Sequence, residues 1–439
     1  MNTNKTLKQL FIPIFIETLF YMLAGFVDTL MMSSLGDKAV GAVGTSNTYI
    51  SIFLIAFSII SSGTMAVMTR YIGANRSGIA YQAKNISLLF NGTIGVVLSL
   101  VLFKFSGSIL TVLKMAPSLM PAGSSYLKIV GGFCFLNAVI PVYSGYLRAF
   151  GYTKEPLYIS LIANIINIFL NALFLFVLGF GVEGVAFATV ISKIFNLLAV
   201  YVLTKKLIKA HLSKERIKNK ALLGQIIGIG LPSALESALY NVAMTLIIMM
   251  LNSMDSEGIN ATARTYATQI TTFSYCTAAA LASANAILTG WRIGAKKYEE
   301  CEKGTLYAVK ISVLVAVSVE IIITVFSGYI MRIFTHDPVM IKIVSRLLAI
   351  DIILEFGRAS NLVFGNALKT CQDAVYIMVI AIIFMYVLAV GCTYILGIHF
   401  KWYVYGAYVG LAADECVRAV CMYLRFKKGK WKDKVLVIE

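Results

Sequence analysis

Long apolar stretches, each closed by a short basic or glycine-containing interval, follow one another along the whole chain. A helix that crosses a bilayer takes about 20 mostly apolar residues. Twelve runs meet that length, at about residues 8–33, 46–72, 84–104, 123–147, 156–178, 184–204, 223–252, 262–291, 304–331, 338–366, 374–397 and 403–425. The first follows Lys5 and Lys8 but is too long for a cleaved signal, contains Pro13 and lacks a small-x-small cleavage site. The pattern predicts an all-α integral membrane protein of twelve transmembrane helices.

Composition closes off other classes. Of 439 residues, 59% are hydrophobic and only 13% charged, against about 45–50% and about 25% in a soluble domain. So few charges leave apolar side chains to face lipid, which excludes a cytosolic enzyme, a disordered chain and a secreted disulfide scaffold. Cys134, Cys276, Cys301, Cys371, Cys392, Cys416 and Cys421 form no C-x-x-C and read as packing thiols. His211, His336 and His399 form no H-E-x-x-H. No cofactor is expected. The net charge of +17 does not point to nucleic acid, because a nucleic-acid binder presents its basic face on a polar fold.

The basic residues fall between the runs, and unevenly. With the N-terminus inside, loops on that side carry 25 Lys and Arg and the opposite loops carry 7. That bias predicts a multi-pass protein of the cytoplasmic membrane with both termini cytoplasmic. An internal repeat is also visible. At a shift of 219, Pro13, Glu17, Tyr21, Ala24, Met31 and Ser34 meet Pro232, Glu236, Tyr240, Ala243, Met250 and Ser253. At a shift of 221, Ile72-Gly73-Ala74 meets Ile293-Gly294-Ala295, and Leu147-Arg148 meets Leu368-Lys369. These matches predict two six-helix bundles in the same orientation, related by a pseudo-two-fold along the membrane normal. The expected parts are a first lobe over 1–206, a basic cytoplasmic linker over 207–222, and a second lobe with a basic tail over 223–439.

Chemistry sits in the acids inside the runs: Glu17, Asp28, Glu236, Glu320, Asp351, Glu355, Asp414 and Glu415. Each ionisable group costs about 2.5–3.5 kcal/mol on insertion scales, so it pairs, faces water, or works. Lys193, Arg358 and Arg418 are the internal bases. Carboxylates in low dielectric take up protons or hold cations, which points to a cationic cargo and to H⁺ or Na⁺ as coupling ion. Glu17 and Asp28 share a face of the first helix about 16 Å apart. Asp351, Glu355 and Arg358 form one stripe at i, i+4 and i+7. One arginine neutralises one carboxylate and leaves the other free, although the same spacing also suits an ion-pair cluster that holds helices together. Asp414 and Arg418 have that structural alternative too. Asn164, Asn167 and Asn171 lie at i, i+3 and i+7 on the fifth helix.

Several segments together resemble the multidrug and toxic compound extrusion (MATE) family. They are Val27-Asp28-Thr29-Leu30-Met31, Tyr71-Ile72-Gly73-Ala74, Leu147-Arg148-Ala149-Phe150-Gly151, Gly184-Val185-Ala186-Phe187-Ala188-Thr189 and Gly230-Leu231-Pro232. Glu355-Phe-Gly-Arg358 and Asp414-Glu415-x-x-Arg418 add to the likeness, which spans essentially the whole chain. The resemblance implies a pair of six-helix bundles that export organic cations or drugs in exchange for Na⁺ or H⁺. It also implies a cation or proton site at Asp28, Asn167, Asn171 and Thr189, with Na⁺ at Asp28 as the one metal to consider. Some members carry Asp where Asn171 stands. Others place a seventh-helix acid where Tyr240 stands, whereas the acid here is Glu236.

The resulting expectation is a monomeric, non-enzymatic antiporter working by alternating access. Asp28, Asn167, Asn171 and Thr189 would couple the ion. Glu17, Glu236, Asp351, Glu355, Arg358, Tyr240 and Gln269 would form a site for cargo or a second ion. The alternative is a lipid-linked precursor flippase of related architecture, which would need a more cationic groove.

Overall fold

The structure, a computed structural model, describes residues 4–112, 115–208, 215–255 and 258–436. Among these residues there is no strand. The helices are α1 (Leu7–Ser33), α2 (Asp37–Gly73), α3 (Ser77–Val112), α4 (Met120–Gly132), α5 (Phe135–Ala149), α6 (Lys154–Ala172), α7 (Gly181–Ile208) and α8 (Asn219–Ser253). They continue with α9 (Ile259–Gly294), α10 (Tyr298–Val325), α11 (Ser327–Phe334), α12 (Pro338–Thr370), α13 (Ala374–Phe384), α14 (Tyr403–Lys427) and α15 (Lys430–Leu436). Each of the twelve apolar runs falls on helix. His211, Lys114 and residues 209–214 of the expected linker lie outside the described residues.

Several runs are less simple than their apolarity suggests. The fourth is two helices bent by 43° across Phe133 and Cys134. The backbone N–H of Phe135 is freed at that break and donates to Ser99 Oγ at 2.9 Å, so the donor is not left orphaned in an apolar interior. The ninth run divides into α10 and α11 at Phe326. The fifth ends in a π-helical turn at Leu173–Val177, and the eleventh in two, Met385–Val390 and Thr393–His399. Among the described residues eight helices are long and apolar enough to cross a membrane, and the bent pair gives a ninth. The remaining long helices α9, α12 and α14 carry many of the polar side chains of the second unit described below.

The chain forms two compact units, Met1–Leu231 and Pro232–Glu439. In the first, α3 packs on α2, α4 and α5, and α6 on α1 and α7. The first turns of α8 belong to this unit because glycines let two backbones touch. A Cβ on Gly230 would lie 1.5 Å from the Ile59 carbonyl oxygen, and one on Gly63 would lie 2.0 Å from that of Ile226. In the second unit α12 is central, packed on α9, α10 and α14. Its last helix, α15, is pinned by Trp431, which stacks on Phe426 at 5.4 Å and donates from Nε1 to its carbonyl at 2.9 Å.

The repeat is written in the backbone more plainly than in the side chains. Left-handed residues recur in pairs: Asn75 with Lys296 and Gly151 with Gln372 at a shift of 221, then Gly36 with Gly258, Gly179 with Lys401 and Gly181 with Tyr403 at 222. The ion pairs recur as well. Arg148 holds Glu17 at 2.7 Å in the first unit, and Lys369 holds Glu236 at 2.8 Å in the second. Each joins the first helix of a unit to the basic end of its fourth span.

A left-handed conformation costs an L-residue about 1–2 kcal/mol, from which glycine is spared at the price of its own entropy. Gly151→Ala is therefore expected to lower stability by about 1 kcal/mol, and Gln372→Gly to raise it by up to about that amount. Thermal unfolding of the detergent-solubilised protein checks both.

Asp373, in the turn between α12 and α13, has no solvent exposure. Arg425 grips it with two hydrogen bonds, at 2.7 and 3.1 Å, and Lys434 bonds the same carboxylate. Burial alone would push its pKa up. The hydrogen bonds and charges of Arg425 and Lys434 outweigh that and hold it below the ordinary carboxylate range. A group depressed in the folded state stabilises it above the unfolded value of about 3.9, and that contribution is lost as pH falls through the folded value. Asp373→Asn should cost about 1–3 kcal/mol at neutral pH, with the gap from wild type closing below about pH 4. Melting curves across pH test the sign.

Candidate functional site

The first unit holds a small polar site between α1 and α6. The two asparagines sit one turn apart on α6, so both amides face α1. Asn171 Nδ2 donates to Asp28 Oδ1 at 2.8 Å and, at 3.4 Å, to Asn167 Oδ1. Asn171 is fully buried, Asn167 nearly so, and Asn171 Oδ1 has no partner among the described residues. A free amide oxygen beside a carboxylate is the oxygen-donor chemistry that a hard cation accepts. Asp28 has no ion pair among the described residues. Tyr126, whose hydroxyl donates to Asn47 Oδ1 at 3.2 Å, stands beside Asp28 and Thr189. Lys193, one turn after Thr189 on α7, lies within electrostatic reach of Asp28.

The structure thus brings together Asp28, Asn167 and Asn171. Thr189 is near them, but its hydroxyl donates to its own helix, to the Val185 carbonyl at 2.9 Å. Asn47 and Tyr126 belong to the same network and were not visible in the sequence. Neither lies in a charged or repeated pattern.

The second unit holds a cavity of about 560 Å³. Glu236, Tyr240, Asp351 and Arg358 line it, together with Arg264, Lys369, Asp414, Glu415 and Arg418. Most of these charges are matched. Arg418 takes Asp414 with two hydrogen bonds at 2.9 and 2.7 Å and reaches Glu415 at 2.9 Å. Asn361 on α12 donates to the Glu415 carbonyl and side chain, both at 2.7 Å. Gly357 makes room there, since a Cβ would sit 2.6 Å from the Glu415 carbonyl carbon. Glu415 therefore ties α14 to α12, while Asp414 and Arg418 pair on α14 itself. Two lining groups differ from the rest. Asp351 is buried with Oδ2 unpartnered. Arg264 meets the Met244 sulfur at 3.5 Å, with no carboxylate partner among the described residues.

Three expected members of this site are placed elsewhere. Gln269 is exposed on α9 and turned away from the cavity, which its neighbours Thr268 and Thr271 line instead; the helical turn puts it on the other face. Glu355 is fully buried behind the cavity wall, where Arg358 Nη1 donates to its Oε2 at 3.0 Å. Glu17 lies in the first unit on Arg148 and does not reach this cavity.

Comparison with known proteins assigns this arrangement to a family. The MatE family model matches residues 13–173 and again 232–395, the two copies of the repeat. The uncharacterized transporter YisQ of Bacillus subtilis is 33% identical over 432 residues, covering 96% of this chain and 94% of its own. The probable multidrug resistance protein NorM of Thermotoga maritima is 26% identical over 443 residues, covering 99% and 94%. The crystal structure of MATE in the bent conformation superposes with a TM-score of 0.89 at 22% identity, covering 99% and 98%. An outward-facing multidrug resistance MATE family transporter of the MOP superfamily gives 0.86 at 21%, covering 98% and 96%. These likenesses fix the fold as the twelve-helix, two-lobe membrane architecture. Two family matches that together span most of the sequence, on a helical membrane fold with the same repeat, show that the chain belongs to the MatE family, the multidrug and toxic compound extrusion transporters.

Proposed function

We propose that this protein is a multidrug antiporter, exporting organic cations or drugs against an inward flow of H⁺ or Na⁺ by alternating access. The observation that carries this reading is the Asp28 site. It is a carboxylate inside a lipid-spanning helix, bonded to an amide, with a second, unpartnered oxygen beside it. The incoming ion binds there with Asn167, Asn171 and Thr189. Neutralising Asp28 changes which packing of α1 is preferred, and a bistable lobe then passes the change on. The cavity of the second unit takes the cargo, with Asp351 and Glu236 facing the cation and Tyr240 offering a ring face. The protein acts as a monomer with both termini and the basic 207–222 linker in the cytoplasm, as the uneven distribution of lysine and arginine supports.

One ion entering for one monovalent cation leaving moves no net charge. Membrane voltage, worth about 2.3 kcal/mol per charge per 100 mV, then adds nothing, and the ion gradient alone drives export. Voltage contributes only when two ions enter per cargo cation, or when the cargo is neutral.

A second reading, a flippase for an anionic lipid-linked precursor, is favoured by one observation, the unpaired Arg264 in the cavity wall. Resistance to ethidium-like dyes on expression separates the two, since only the antiporter raises it.

In vesicles with Na⁺ and pH gradients imposed separately, Asp28→Asn is expected to abolish coupled efflux, a loss of more than about tenfold, equivalent to about 1.4 kcal/mol. The folded protein should still be recovered. Undiminished drug-driven ion exchange in that variant removes Asp28 from the mechanism.

A further inference from the structure

Glu320 is the acid that neither the first-unit site nor the cavity uses. It lies on α10, has no solvent exposure, and both of its carboxylate oxygens are buried without a hydrogen-bond partner among the described residues. α10 packs against α9, α11 and α12. From α12, Asp351, Glu355 and Arg358 are its charged neighbours. α9 presents Ser274 nearby, whose hydroxyl donates to the Ala316 carbonyl, one turn before Glu320, at 3.0 Å. Among the described residues neither α9 nor α11 adds a charged group to this environment.

The charges do not balance. Glu320, Asp351 and Glu355 surround one guanidinium, and Arg358 spends a bond on Glu355 Oε2; Glu415 of α14 also faces Arg358, Asp351 and Glu355, but it is held by Arg418. Four oxygens are left over: both of Glu320, Oδ2 of Asp351 and Oε1 of Glu355. An ionised carboxylate without a partner in such an interior costs several kcal/mol. A proton removes that cost with no need for space or further ligands. A metal ion would need converging oxygens, and among the described residues no three acidic, histidine or cysteine side chains come together as a metal-holding group. Asp351 lines the cavity, while Glu320 and Glu355 lie behind it.

We infer that Glu320, Asp351 and Glu355 form a proton-binding site in the second unit, with Glu320 as its dry end and Asp351 as its outlet to cavity water. One exchangeable proton resides on Glu320. In release, the Glu320 O–H bond breaks as an O–H bond forms on the Asp351 carboxylate, directly or by way of Glu355. Asp351 then gives the proton to water and is left ionised. Binding runs the same steps in reverse. Asp351 is shared with the cargo cavity, whereas Glu320 serves neither the cargo nor Asp28, so a failed Glu320→Gln test would leave the antiport reading intact.

The test needs no transport. The full chain in lipid nanodiscs is titrated from acid to alkaline pH in H₂O and D₂O, with infrared difference spectra and proton uptake from weak buffer. Wild type is expected to show a protonated-carboxyl C=O stretch that is lost reversibly on alkalinisation. Glu320→Gln should remove one component of that band and take up about one proton fewer per chain, whereas Glu320→Asp retains both. Asp351→Asn, which leaves Glu320 in place, should shift the remaining band and slow its exchange, and it serves if Glu320→Gln does not fold. An unchanged band and proton count in Glu320→Gln overturns the proposal. So does a wild-type band that persists through alkaline pH, or an Asp351→Asn spectrum identical to wild type.

Discussion

A carboxylate held among lipid-spanning helices has to be matched, because the surrounding medium does not solvate it. The second unit meets this demand in several ways. Glu236 has Lys369, Glu355 has Arg358, and Asp414 with Glu415 shares Arg418. Asp351 keeps one oxygen free, and Glu320 keeps both. In the first unit Glu17 has Arg148, while Asp28 has an amide and, among the described residues, no ion pair. The acids thus grade from scaffold to chemistry by how completely they are paired. A fully matched acid stiffens a helix junction. An unmatched one has to change its state when an ion or proton arrives.

Much of this was legible in the sequence, for a physical reason in each case. Membrane helices announce themselves because lipid demands about twenty apolar residues in a row. The acids stood out because their cost in lipid makes them rare. The Asn167 and Asn171 spacing placed both amides on one face, and Asp28 does meet Asn171. The stripe of Asp351, Glu355 and Arg358 was correct in its face but not in its depth. Helical spacing fixes direction around an axis and says nothing of how far a neighbouring helix covers a residue, so Glu355 proved to lie behind the wall that Asp351 lines. Gln269 failed for the complementary reason, as its neighbours on α9 took the inward face.

What the sequence hid is chiefly partnership between distant residues. Lys369 looked like a loop charge but holds Glu236, and Arg148 does the same for Glu17. The bend in the fourth span was invisible because Ser99, which accepts the N–H that the bend frees, lies on another helix. Glu320 had no neighbours in sequence to explain it, since its company arrives from α12.

The matched left-handed corners carry a consequence for how the molecule is made. In the first copy most of them are occupied by Gly36, Gly151, Gly179 and Gly181, residues that take such a shape unaided. In the second copy Lys296, Gln372, Lys401 and Tyr403 stand at corners of the same shape, where only surrounding packing holds them. During synthesis the leading half can turn its corners as it emerges. The trailing half has to wait until its helices have found one another.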